Sequence, residues 1–375
     1  MDKRPFNWPF VPATRNLDIV RAEGCWLHTA TGQRILDAAG GAIVANVGHG
    51  RESVVRAIAN ATEASTYIVP TWLTPGRAAL VERLQRDWLP PVLDRVHLTS
   101  GGSEGVEAAM KIAIQYHAAR GQPQRRVIIG RSISYHGTTI ATMAVGGHEA
   151  RKRGLEHALP RYPKSDTPYP LRCPLGPRHP GLGRHYVDAL RATIEAEGPE
   201  HVAAFLAEPI TGSSGGAIVP PDEYWPGVRV LCDEYGILLL MDEVMTGFGR
   251  TGTNFGFEHW PIEPDVLVAG KGLAGGYAPL TGVFARGSIA DAIAGAQMNV
   301  MFHTFGGHPA ACAAADEVLR ILTDEALVTR AATMGRVLSK RLQDALSNHP
   351  HVAEIRGRGL LQAIEVVRDR DTLEP

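Results

Sequence analysis

The sequence predicts an α/β protein, with a large domain built on a mostly parallel sheet sandwiched by helices and a smaller α+β domain drawn from both chain ends. Three observations carry this. Six short apolar runs, at 95–99, 126–130, 202–207, 236–241, 265–269 and 280–285, alternate with helix-like stretches at 104–119, 187–197 and 224–234, the order of a doubly wound sheet. The runs place Val, Ile, Leu and Ala at successive positions instead of alternate ones, as strands covered on both faces do. A chain of 375 residues is also longer than one core usually serves, leaving room for a second lobe.

Taken in order, residues 1–45 are expected to form the N-terminal part of the smaller domain. Residues 46–290 should form the large domain, and 291–375 the C-terminal part of the smaller one. Within the large domain, 159–186 is rich in Pro, Gly, Arg and His and reads as a long surface excursion, because strand patterning resumes after it. A long helical stretch at 309–347 and a strand at 360–367 complete the small domain. In an open α/β sheet, ligands bind beyond the carboxyl ends of the strands, which is where the chemically distinctive residues fall.

Composition narrows the partners. With 38 basic and 39 acidic side chains the net charge is -1, so the chain has no electrostatic footprint for nucleic acid or an anionic membrane. Small molecules or another copy of the chain are the expected partners. Cys25, Cys173, Cys232 and Cys312 form no C-x-x-C pair, which argues against a disulfide framework or a thiolate metal site. No metal is expected. The first sixteen residues lack the apolar segment of a signal peptide, and no apolar run approaches the length of a membrane span. A cytoplasmic protein is expected.

Five segments carry chemistry. In LLLMDEVMTGFGRTG an apolar strand ends in Asp242; such a carboxylate can hold a pyridine nitrogen protonated, or simply pair with Arg250. In DVLVAGKGLAGGYAPL another strand delivers Lys271 between Gly270 and Gly272. A desolvated lysine there is a Schiff-base nucleophile; a solvated or anion-binding lysine is equally open. HLTSGGSEGVEAAMK runs from a strand through Gly102 and Ser103 into a helix, an anion site or an ordinary serine cap. In SYHGTT, Tyr135 could lie flat on a planar cofactor or pack in the core. Thr304 of HTFGGHP precedes a Gly-Gly turn and a helix.

Together these segments resemble the class III, or ω-type, aminotransferases, a fold-type I family dependent on pyridoxal 5'-phosphate (PLP). MDEVMTGFGRTG and AGKGLAGGY are the most specific parts, and AEPITGSSGGAIVPP, SGGSEGVEAAMK, SYHGTT and HTFGGHP stand in the expected order around them. The resemblance implies that Lys271 binds PLP as a Schiff base and moves the substrate proton. It implies that Asp242 bonds the pyridine nitrogen, with Val244 on one ring face and Tyr135 on the other. Gly102 and Ser103 would hold the phosphate, joined by Thr304 of the partner subunit in a homodimer whose active site lies at the subunit interface. Glu208 would order the site beside Asp242, with His136 nearby. Trp72, Ile43 and Tyr67 are candidates for the substrate pocket.

The resemblance implies an amino transfer from an amine or amino acid to a keto acid such as pyruvate. Ser213 stands where relatives acting on ornithine or 4-aminobutyrate carry glutamate, which argues against those substrates, and Met245 where they tend to carry glutamine, which removes one contact to the cofactor; the GSSGGAIVPP and GRGLLQAIEV segments resemble the broad ω-transaminase branch. Relatives continue beyond the position of Pro375, so the small domain is expected to be incomplete here and the arginine that receives the substrate carboxylate to lie past it. Racemases, aminomutases and a decarboxylating transaminase share these motifs and are the alternative chemistries, together with a truncated homologue of reduced activity.

Overall fold

The computed structural model describes residues 17–298 and 302–374; the expectations for 1–16, and for the boundary at Pro375, lie outside the described residues. In chain order the strands are β1 (Ile19–Glu23), β2 (Trp26–Thr29), β3 (Arg34–Leu36), β4 (Arg95–Thr99), β5 (Val127–Arg131), β6 (Lys164–Ser165), β7 (Val202–Ala207), β8 (Leu238–Asp242), β9 (Val266–Ala269), β10 (Thr281–Ala285), β11 (Val352–Arg358) and β12 (Leu361–Val366). The helices are α1 (Gly40–Ile43, a single irregular turn), α2 (Glu52–Ala64), α3 (Pro75–Arg83), α4 (Gly102–Ala119), α5 (Ile140–Val145), α6 (Leu182–Glu197), α7 (Tyr224–Tyr235), α8 (Gly287–Gly295), α9 (Pro309–Asp324) and α10 (Leu327–Leu346).

The large sheet has seven strands in the order β4-β10-β9-β8-β7-β5-β6. Its strands separate their side chains with the period of two that the pleat imposes. Leu238 and Leu240 of β8 join a core with Val106 and Met110 of α4 and Ile289 of α8. Leu239 and Met241 join the opposite core with Leu190 of α6 and Val228 of α7. Every residue of β7 is buried, so the continuous apolar runs reflect two covered faces. All neighbours pair in parallel except around β10, which is antiparallel to both β9 and β4. The chain reverses directly between Ala269 and Thr281 with no crossover helix, and a direct reversal yields antiparallel neighbours.

Three features differ from expectation. The excursion at 159–186 contributes β6, which adds to the sheet edge beside β5 with Gly130 opposite Lys164. The stretch at 309–347 is two helices, because Ala326 adopts φ 51 between α9 and α10. The strand near 360 is one half of an antiparallel pair whose partner, β11, has a half-buried pattern that leaves little apolar signal. β1-β2-β3 form a separate small sheet.

Candidate active site

Five strands running the same way, β4, β5, β7, β8 and β9, end along one edge of the sheet, and β10 begins there because it runs the opposite way. Beyond that edge lies a cavity of about 580 Å³. Gly102, Ser103, Tyr135, His136, Glu208, Asp242, Val244, Lys271 and Ile43 all line it. Residues from the ends of five strands therefore meet, as the strand-end rule requires, joined by Ile43 from the segment after β3. Thr304 and Trp72 do not line it. Thr304 is exposed, and Trp72 is 67% exposed, with its backbone carbonyl accepting from Arg77. Tyr67 likewise lies outside the lining, edge-on to Phe305.

Asp242, the last residue of β8, is only 5% exposed and its two oxygens are separately engaged. The backbone N–H of Val244 donates to Oδ1 at 3.0 Å, and His136 Nδ1 lies 2.8 Å from Oδ2. An ionised carboxylate can only accept, so Nδ1 carries the proton, and among the described residues the buried Nε2 has no partner. Arg250, the competing partner suggested by sequence, makes no ion pair with Asp242. The carboxylate is thus anchored yet, among the described residues, not paired with a guanidinium, and can hold a protonated ring nitrogen.

Glu208 follows β7 and is also buried. Its carboxylate accepts from the backbone N–H of Gly212 at 2.8 Å and of Tyr135 at 3.2 Å. Burial pushes its carboxyl up, while His136 and Arg131 act to lower it. Its geometric effect is to pin the backbone beneath the Tyr135 ring. Met245 fills space over Gly212, whose added Cβ would fall 2.3 Å from its sulfur.

Lys271 opens the connection after β9 at φ 45, a left-handed conformation that costs a non-glycine residue about 1–3 kcal/mol and clusters at functional sites. Burial lowers its ammonium pKa, with Asp242 and Glu208 opposing. A lowered value favours the neutral amine, the nucleophilic and proton-accepting form. The flanking glycines have packing reasons. A Cβ on Gly270 would meet Thr281 Oγ1 at 2.4 Å, and one on Gly272 would meet Asn46 Nδ2 at 2.9 Å. Asn46 itself donates to the carbonyls of Gly272 and Phe248, so the lysine turn is clamped from the N-terminal segment.

At the start of α4, Glu104 Oε2 accepts from the N–H groups of Ser100 and Gly101, half of a capping box. The first-turn amides of Gly102 and Ser103 remain as helix-end donors, and Ser103 Oγ accepts from Thr138 N–H at 3.0 Å, leaving its own proton to donate. Gly102 is required by close approach: a Cβ would fall 2.9 Å from Val244 Cγ1. A planar, anionic, pyridine-containing cofactor fits this donor set. Two amides and a hydroxyl suit a phosphate, Asp242 suits the ring nitrogen, Tyr135 and Val244 suit the ring faces, and Lys271 suits an aldehyde.

Several residues escaped sequence reading. Buried Glu243 accepts from Thr246 Oγ1 and from the amides of Gly256 and Phe257 at 2.7 Å each. Arg131 is fully buried and donates to the Glu208 carbonyl at 2.6 Å. Arg151 lines the cavity from a short turn after α5. Of these, Glu243 had a signal, as a carboxylate beside Asp242. The loop that includes Ile43 had one too, in Gly40-Gly41; Ile43 there adopts φ 61.

Comparison with known proteins agrees with this geometry. The model of the family Aminotransferase class-III matches residues 11–374. The putrescine–pyruvate aminotransferase of Pseudomonas aeruginosa is 37% identical over 362 residues, covering 95% of this chain and 78% of that protein. The taurine–pyruvate aminotransferase of Rhodobacter capsulatus is 36% identical over 364 residues, with 95% and 78% covered. An amine transaminase from an uncultivated Pseudomonas species, solved in its PLP-bound internal form, superposes with a TM-score of 0.93 at 36% identity, covering 100% of this chain and 87% of that one.

Proposed function

This chain belongs to the class-III aminotransferases, PLP-dependent enzymes that transfer an amino group to a keto acid, and we propose that it does so at the cavity bounded by Lys271 and Asp242, with a primary amine as donor and pyruvate as acceptor. The observation that carries the reading is the convergence of Asp242, anchored by His136, and Lys271 from the adjacent strands β8 and β9 on one cavity. Bound there, PLP supplies an aldehyde that joins amines covalently and a ring that draws electrons from the neighbouring carbon.

Each residue then has one task. Lys271 Nζ, its ammonium pKa lowered by burial, takes the proton from the substrate carbon and passes it to the carbon that the cofactor's aldehyde supplies. Asp242 holds the ring nitrogen, and His136 orients Asp242 through its Nδ1 proton. Gly102 and Ser103 receive the phosphate at the start of α4. Tyr135 and Val244 confine the ring, and Glu208 fixes the Tyr135 backbone. Ile43 borders the substrate side. Among the described residues, we assign 46–290 to the cofactor-binding domain, and 17–45, 291–298 and 302–374 to the smaller one.

The acting unit is a homodimer in which Thr304 completes the partner's phosphate site. Its exposure, and that of Phe302 and Phe305 beside it and of Trp72 and Leu73 on the segment after Tyr67, whose ring meets Phe305 edge-on, supports this, since large exposed apolar side chains grouped together mark contact surfaces. No helix among the described residues is long and apolar enough to cross a membrane, and the four cysteines are free, which suits the reducing cytoplasm; cell fractionation tests that placement.

The donor is tested by adding putrescine, taurine or alanine to the PLP-loaded protein and following its visible band. Putrescine or taurine should bleach the band and pyruvate restore it. Bleaching by alanine alone would refute the amine-donor reading.

A further inference from the structure

We propose that Arg77 is a positioning residue for the cofactor phosphate of the partner subunit, acting by holding the turn that carries Thr304. The proposal rests on the homodimer reading above and adds the side chain that sets where Thr304 stands.

Arg77 sits in the first turn of α3 and is buried. Thr74 Oγ1 accepts from its backbone N–H at 3.3 Å and caps the helix. The guanidinium reaches two segments at once. Nε and Nη2 both donate to the Gly307 carbonyl, at 3.2 and 2.8 Å. Nη1 donates to the carbonyls of Pro70, at 3.1 Å, and of Trp72, and Nη2 reaches that of Ile68 at 3.3 Å. No carboxylate among the described residues pairs with it, and the amino end of a helix disfavours a cation. A buried charge must be well hydrogen-bonded to be tolerated. These carbonyls therefore fix the guanidinium, and it ties the 68–72 segment to Gly307.

Gly307 lies three residues past Thr304, and the turn between them is fastened at both ends. His97 Nε2 of β4 lies 3.0 Å from His303 Nδ1, and the Gly306 N–H donates to the His303 carbonyl at 2.9 Å. A Cβ on Gly306 would fall 2.4 Å from the Leu98 carbonyl oxygen; one on Gly307, at φ 67, would fall 2.7 Å from Arg77 Nε. The Gly-Gly pair of HTFGGHP is what lets the turn press against β4 and Arg77. Thr304 stands exposed between the two fastenings, and neither it nor Arg77 lines the cavity of its own subunit. The link thus ends on a side chain with no task in its own subunit's site, and the site it serves is the partner's.

The test locates the defect in one subunit or the other. Titration with PLP, read by the visible band it forms with Lys271, gives cofactor affinity, and size-exclusion chromatography confirms dimers. Arg77→Met should weaken PLP binding by about 10-fold, the order of one lost hydrogen bond to a charged group. In hybrids of Arg77→Met with Lys271→Ala subunits, the band arises from the Arg77→Met subunit, whose phosphate meets the intact turn of the other subunit. Affinity there should return to the parent value. Arg77→Lys keeps the charge but not the two-sided fork; it should show a smaller loss with the same recovery, and it carries the test alone if Arg77→Met does not fold. Parent-like affinity in whichever variant homodimers fold, or a loss that persists in the hybrids, would overturn the proposal. Thr304→Ala in the same hybrids separates it from its premise. No loss or no recovery with Thr304→Ala refutes the intersubunit phosphate site, whereas recovery with Thr304→Ala but not with the Arg77 variants refutes the role of Arg77 alone.

Discussion

At the residue scale, the site depends on two adjacent carboxylates with opposite duties. Asp242 faces the cavity. Glu243, next along the chain, points into the core, where it receives the Gly256 and Phe257 amides and the Thr246 hydroxyl, and so ties the connection after β8 to the segment near Phe257. Glu243→Ala leaves those buried donors unpaired, and we expect a loss of about 2–4 kcal/mol in unfolding free energy, read by denaturant titration; Glu243→Gln, which keeps a carbonyl acceptor, should lose less. Burial raises the Glu243 carboxyl from 4.5 to about 7. Between those values the folded chain holds a proton that the unfolded chain has released, so this group's contribution to stability falls as pH rises through the window. The glutamine variant should lack that slope. A Glu243→Ala protein as stable as the parent at every pH would refute the role.

At the element scale, what the sequence disclosed depended on how completely each element is buried. β7 and β8 read clearly because both faces are covered, so apolar residues fill every position. β11 did not, since Glu354, Arg356 and Arg358 give it a polar alternation on a half-buried pair. The break between α9 and α10 carried no glycine or proline; it rests on Ala326 in the left-handed region, a conformation that composition does not announce. Strand ends were legible for the same reason as the strands. Asp242, Glu208 and Lys271 each follow an apolar run, whereas Arg151 follows a loop with no periodicity and could be placed only by coordinates. The glycines beside Lys271 were recognised, but their reason was not: Thr281 and Asn46 occupy the space a side chain would need.

At the scale of the whole molecule, six of seven sheet strands run one way, and that common direction gathers distant residues to one edge. Trp72 shows what a single chain leaves open. Family position suggested a pocket residue, yet it stands exposed and away from the cavity of its own subunit, as does Thr304. Both are consistent with a surface that a second copy covers. If Thr304 serves the partner's site, mixing Lys271→Ala with Thr304→Ala subunits should create hybrids with one intact site, recovering tight PLP binding and turnover that neither homodimer has. No recovery in confirmed hybrids would contradict an intersubunit phosphate site.

The central claim is that Lys271 is the covalent attachment point. Borohydride reduction of the PLP-loaded protein followed by proteolysis and mass spectrometry tests it most directly. The predicted result is a phosphopyridoxyl group on Lys271, absent from that peptide when an amine substrate is added before reduction. A label stably held on another lysine, or Lys271→Ala protein that is labelled and turns over like the parent, would contradict it.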